Sequence, residues 1–297
     1  MVEVFHVRYF ARDADKHYLP ARHLASSLEG LDKIVVRFLW AIETEAQATR
    51  SPSPTTVSLD VFAPEAGCID VSLFAGVASG FMPFVASMQE AVRAKLCEHI
   101  VSYVMLRWGG RRTEAEDHLK MALDIIENQN ERFAEDRRHE RETTAMDRQR
   151  EREHIEALFR SQADLHKADA AKAARPVGES CRSMTITNGD TSVEVDEATA
   201  EAVKAKEELE VSDIIEMTFQ VDGIELSSKT LKVFDPETPT RRVKVHISDP
   251  AFDPLHQSEN PYETAVQRRS RIKLTGKATR KPDGTLKTFH AISGQAL

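Results

Sequence analysis

The sequence predicts an α+β protein. It reads as an N-terminal small antiparallel sheet with two helices, a long charged helical connector, and a C-terminal small β-barrel or sandwich. Three observations predict this. Apolar residues recur by twos and then by threes and fours over the first third; residues 113–175 hold no Gly or Pro; and turn dipeptides repeat after residue 183.

The N-terminal part covers residues 1–112. VEVFHVRYF alternates as a strand, with Phe5, Val7 and Tyr9 on one side and Val4, His6 and Arg8 on the other. Leu24, Leu28, Leu31, Val35, Phe38 and Ile42 recur at helical spacing and predict a helix over residues 21–46, which SPSP breaks. TVSLDVF and CIDVSLF read as a second and third strand. The uncharged stretch VSLFAGVASGFMPFVASM, residues 71–88, is long enough to raise a membrane span, but Pro83 interrupts it. It divides into a strand end, a Gly-rich turn and the start of a helix. That helix opens on Pro83 and carries Val85, Met88, Val92, Leu96, Ile100, Val104 and Trp108 on one stripe.

Residues 113–176 read as the connector. Leu119, Ile126 and Phe133 recur every seven, the seam fades through Glu140, and apolar residues return at Ile155, Leu158 and Leu165. Opposite charges three or four apart, such as Arg148 and Glu151, fit an exposed helix with apolar docking patches at its ends. Residues 183–297 form the β-rich domain with one short helix, which Asp196 caps. Asn188-Gly189, Asp222-Gly223 and Asp283-Gly284 mark hairpins.

Charge is uneven: net zero over residues 1–112, −14 over 113–228 and +6 over 229–297, for −8 in all. Cys68, Cys97 and Cys181 form no C-x-x-C pair, which argues against a disulfide framework or thiolate zinc site and for a reducing, cytoplasmic setting. The N-terminus lacks the basic flank and apolar core of a signal peptide. No phosphate-cradling loop, H-E-x-x-H or G-x-S-x-G is present, so no catalytic residue, metal ligand or cofactor is assigned and the reading leans away from an enzyme. His154 and His166, twelve apart, are too distant along a helix to share a metal and read as solvated.

The basic tail is the remaining chemical feature. Arg241, Arg242, Lys244, Arg268, Arg269, Arg271, Lys273, Lys277, Arg280 and Lys281 could converge on a phosphate-facing groove, with Phe234, Tyr262 or Phe289 for stacking. The blander reading is a solvated face that protects strand edges.

VRYFARDADKHYLPARHLASSLEGLDKIV and APEAGCIDVSLFAG, through Asp13, Ala14, Asp15, Leu19, Leu28, Gly30 and Gly67, resemble an uncharacterised family of bacterial proteins. In that family an N-terminal α+β module is joined to a small C-terminal β domain. The resemblance implies association with mobile or accessory genes and phage defence, and supplies no catalytic residues. The long charged helix departs from the family's compact members.

The leading expectation is a non-enzymatic assembly protein, self-associating or bound to a protein partner. Val85, Met88, Val92, Leu119, Ile126, Phe133, Ile155 and Leu158 would form its interface. The alternatives are a nucleic-acid-binding accessory protein using the basic β domain and, less favoured, a membrane-acting effector.

Overall fold

The computed structural model describes residues 5–16, 18–61, 69–78, 80–136, 145–189, 191–249, 252 and 260–297. Gly67, Cys68 and Glu140 lie outside them, as does the side chain of Phe133. The chain divides into two compact units, residues 1–108 with 112–204, and residues 109–111 with 205–297.

The first unit opens with β1 (Phe5–Phe10), whose Phe5, Val7 and Tyr9 are buried while Arg8 is exposed. A 3-10 turn (Ala14–Lys16) precedes α1 (Ala21–Thr44), which presents Leu31, Ile34, Val35, Phe38 and Leu39 to the core. Next come β2 (Val57–Val61) and β3 (Ile69–Val77), then α2 (Pro83–Ser87) and α3 (Glu90–Trp108). The uncharged stretch therefore divides where Pro83 predicts. The single helix expected from Pro83 to Trp108 is corrected, because Met88 adopts an extended ψ of 137° and separates α2 from α3. No helix among the described residues is long and apolar enough to cross a membrane.

The connector is also corrected. Its residues form α4 (Arg112–Asp136), α5 (Ala145–Leu165) and α6 (Lys167–Ala173). Leu119, Ala122 and Ile126 are at most 2% exposed and belong to the same core as α3. The arginines bond across the α4–α5 pair as well as along α5: Arg160 reaches Glu116 at 2.6 Å and Glu156 at 2.9 Å, Arg152 reaches Asp124 at 2.7 Å, and Arg148 reaches Glu131 at 3.2 Å. Exposed pairs of this kind contribute about 0–1 kcal/mol each, whereas burying one Leu or Ile contributes about 1.5–3. The apolar seam on α4 thus holds this segment down, and the ion pairs set its alignment. His166, expected in solvent, is fully buried; its Nδ1 lies 3.0 Å from Asp169 Oδ2 and its ring stacks on Phe38.

The third correction is a domain boundary. β4 (Ser183–Asn188) and β5 (Thr191–Val195) form the hairpin that Asn188-Gly189 signals, with Gly189 at φ 58°. They join the first sheet, in the order β2-β3-β1-β4-β5, by pairing β1 with β4 (Val7 opposite Ile186). Turn chemistry is local and cannot reveal which sheet a hairpin extends. α7 (Glu197–Lys204) closes the unit, and Asp196 Oδ1 accepts from the Thr199 N–H at 2.9 Å as the capping residue predicts.

The second unit contains β6 (Glu210–Val211), β7 (Ile215–Glu225), β8 (Thr230–Phe234), β9 (Arg242–Ile247), α8 (Pro261–Gln267), β10 (Arg271–Arg280) and β11 (Leu286–Ala296). Asp222-Gly223 makes no turn. β7 runs through it with a bulge between Val221 and Gly223, pairing β10 through Gln220 and β8 from Gln220 onward. Gly223 does not take the positive φ of Gly284 (83°), which turns β10 into β11 as expected. The bulge bends the long strand so that it serves both neighbours. Five strands close in the order β7-β8-β9-β11-β10 and back to β7, with β9 parallel to β11 and α8 between β9 and β10. This connectivity is that of an OB-type barrel. Phe219, Val233, Val245, Leu274 and Phe289 fill its interior.

Candidate nucleic-acid interface

Strand register decides which basic side chains meet. Arg271 on β10 lies opposite Gln220 on β7, Gln220 opposite Phe234 on β8, and Phe234 opposite Arg242 on β9. Paired residues share a face, and Val221, Val233 and Val243 alternate inward beside them. The four therefore form one outward row over four strands. Beside it Lys232 lies directly opposite Lys244, and both are exposed. The next pair along β8 and β9 is Thr230 with His246. The Arg242 guanidinium carbon sits 5.8 Å from the Phe234 ring centroid, and its Nε lies 2.7 Å from Asp222 Oδ2.

The ten basic residues named from the sequence do not form a single patch. Arg242, Lys244 and Arg271 share this face. Arg268 and Arg269 are exposed just beyond α8. Lys273 pairs with Glu216 at 2.7 Å, Arg280 with Glu237 at 3.1 Å and Lys281 with Glu207 at 3.3 Å. Arg241 is half-buried, 3.7 Å from Asp235, and donates to the Leu286 carbonyl, so it ties β9 to the start of β11. Lys277 is half-buried on β10. Tyr262 and Phe289 are fully buried and are withdrawn as stacking groups; Phe234 remains half-exposed. Sequence reasoning passed over Lys232 and Gln220. The signal was the β8–β9 pairing flanking DPETPT, which places Lys232 opposite Lys244 once the register is counted.

The interface residues expected on the helices are placed differently. Val85, Met88, Leu119, Ile126 and Leu158 are buried in the chain's own fold, and Ile155 packs against its core. Val92 is half-buried. The five buried positions are taken up by intrachain packing.

The first unit holds a separate constellation on α3 and α4: Glu98, His99 and His118 have the donor set for a metal ion. Burial alone would raise the Glu98 pKa, but hydrogen bonds and charge from His99, Ser102 and His118 outweigh it and hold the carboxyl below its usual value. Burial pushes the His118 imidazole down, toward its neutral form.

The fold and face define a two-unit protein, an α+β module and an OB-type barrel with a basic, partly aromatic outer face. Residues 5–204 match a family described as a domain of unknown function (DUF7946), and the chain belongs to that family. Residues 213–293, the barrel, match a family of unknown function (DUF7947). No curated protein matches the chain. Among solved structures, a mutant of the ferredoxin protease FusC in complex with Arabidopsis ferredoxin aligns with 11% identity over 82% of this chain and 28% of that one. The chain thus spans less than a third of that protein's length, and the TM-score is 0.18.

Proposed function

We propose that this is a non-enzymatic, cytoplasmic accessory protein whose C-terminal barrel binds single-stranded nucleic acid on the β7–β8–β9 face. The observation that carries the proposal is the outward row Arg271–Gln220–Phe234–Arg242 with the Lys232–Lys244 pair beside it. Lys232, Lys244 and Arg271 meet backbone phosphates, and Phe234 with its adjoining guanidinium offers a flat platform for one base. Solvated edge protection does not explain the lysine pair, because β8 and β9 are interior strands of a closed barrel with no edge to guard. Like charges placed directly opposite destabilise a sheet, so this pairing fits a site that receives an anion. A setting in bacterial phage defence, which the family resemblance implies, suits a strand-binding module.

Binding of the full chain to a labelled single-stranded oligonucleotide of about 15 nucleotides, followed by anisotropy over a salt series, tests the proposal. With about three phosphates neutralised, log K should fall against log salt with a slope of about −2, and duplex of the same sequence should compete poorly. Equal affinity for duplex, or binding indifferent to salt, contradicts it.

A further inference from the structure

Glu98 and His99 stand side by side on α3, and His118 faces them from α4. Glu98 is 0% and His99 1% exposed. His99 Nδ1 lies 2.9 Å from Glu98 Oε2 and 3.1 Å from His118 Nδ1, and His118 Nδ1 lies 3.9 Å from Glu98 Oε1. Hydroxyls complete the surroundings: Ser102 Oγ donates to Glu98 Oε1 at 2.9 Å, and Thr191 Oγ1, from the β4–β5 hairpin, donates to Oε2 at 3.1 Å. Among the described residues no Lys or Arg forms an ion pair with Glu98.

The buried Glu98 carboxylate has only the His99 and His118 imidazoles as sources of positive charge, and a metal ion held by all three would supply that charge with both rings neutral. Two ring nitrogens of the same kind also point at each other, an arrangement in which only one can carry the bridging proton. A single cation answers both. Tetrahedral coordination at about 2.0–2.1 Å from each donor sets neighbouring donors about 3.3 Å apart. One donor atom from each of the three residues lies within 4.8 Å of the other two, and two of the separations, Glu98 Oε2 to His99 Nδ1 at 2.9 Å and His99 Nδ1 to His118 Nδ1 at 3.1 Å, lie near that spacing.

We propose that Glu98, His99 and His118 bind one divalent first-row transition ion of the zinc class, pinning α3 to α4. Two imidazoles with one carboxylate select such an ion over Mg²⁺ or Ca²⁺, which take all-oxygen sets. The fourth position falls to water, entering beside His118, whose side chain is 14% exposed. The sequence concealed the set because His99 and His118 are 19 residues apart on two helices and match no ligand spacing of a single segment.

The test uses the full chain stripped with chelator and titrated with Co²⁺ and then Zn²⁺. The expected result is one equivalent of Co²⁺ with the intense visible absorption of four-coordinate cobalt, bleached by Zn²⁺ and unaffected by excess Mg²⁺. Removing a ligand should weaken binding by more than the roughly 100-fold that loss of an outer-shell partner costs. His118→Ala and Glu98→Gln should both show this, with the helical circular dichroism retained. Should either variant unfold, the wild-type chain decides: its melting midpoint should rise with added Zn²⁺, and the ring signals of His99 and His118 should shift. No stoichiometric uptake by the wild type, or uptake unchanged in both folded variants, would overturn the site.

Discussion

Replacing Lys232 and Lys244 together by glutamate is expected to weaken binding of a single-stranded oligonucleotide by more than tenfold at low salt. The two side chains are cross-strand neighbours on the exposed face of β8 and β9. Each lysine that no longer neutralises a phosphate should reduce the slope of log K against log salt by about 0.7, so the double variant should be flatter by about 1.4. Stability should hold or rise slightly, because a like-charge pair is replaced by another and Arg242 stands nearby on β9. Lys273→Ala serves as the comparison. That ammonium is already held 2.7 Å from Glu216, and its loss should change affinity less than about twofold. Anisotropy titrations of the three proteins at matched ionic strengths measure all of this. Equal losses in the double variant and in Lys273→Ala would mean that net charge, and not this face, governs binding.

The second large effect concerns Gly30, in the middle of α1. From helix propensity alone, Gly30→Ala should stabilise the chain by about 1 kcal/mol. The structure reverses the sign. A methyl group there would lie 2.4 Å from the Asp169 carbonyl oxygen and 2.6 Å from the Ala173 amide nitrogen, both backbone atoms of α6. α6 cannot move away cheaply. Ser27 Oγ donates to the Ala173 carbonyl at 2.7 Å and accepts from the Tyr9 hydroxyl at 2.9 Å, while the residue preceding α6, His166, is stacked on Phe38. Overpacking of this kind costs about 1–3 kcal/mol and here, against main chain at both points, should reach the upper end of that range. Gly80→Ala, where the added carbon meets nothing within 4 Å, should stay within about 0.5 kcal/mol of the parent. Urea midpoints of the two variants separate steric clash from backbone entropy.

These cases show what a single sequence discloses. Periodicity located β1, α1 and the division at Pro83, because each depends on residues close in the chain. The turns at Gly189 and Gly284 were legible for the same reason: both take positive φ, which Asn-Gly and Asp-Gly advertise. Asp222-Gly223 carried the same advertisement and became a bulge, because β7 must serve β10 and β8 in turn. The placement of β4 beside β1 and the close approach of Gly30 to α6 are pairings between distant segments, and nothing local encodes them. The seam Leu119–Ile126 was correctly apolar but its partner was misassigned; α3 of the same chain takes the place a second chain was expected to fill. At the candidate interface, composition found the basic strands, while register was needed to set Lys244 opposite Lys232 and Arg242 in line with Phe234, Gln220 and Arg271.

Photocrosslinking with a single strand bearing bromouridine, followed by mass mapping of the modified peptides, shows directly whether the β7–β8–β9 face of the barrel holds the strand. Adducts are expected on β8 and β9, at Phe234 and His246 above all, suppressed by unlabelled single strand and by salt. Adducts confined to residues 5–204, or none at low salt, would contradict it.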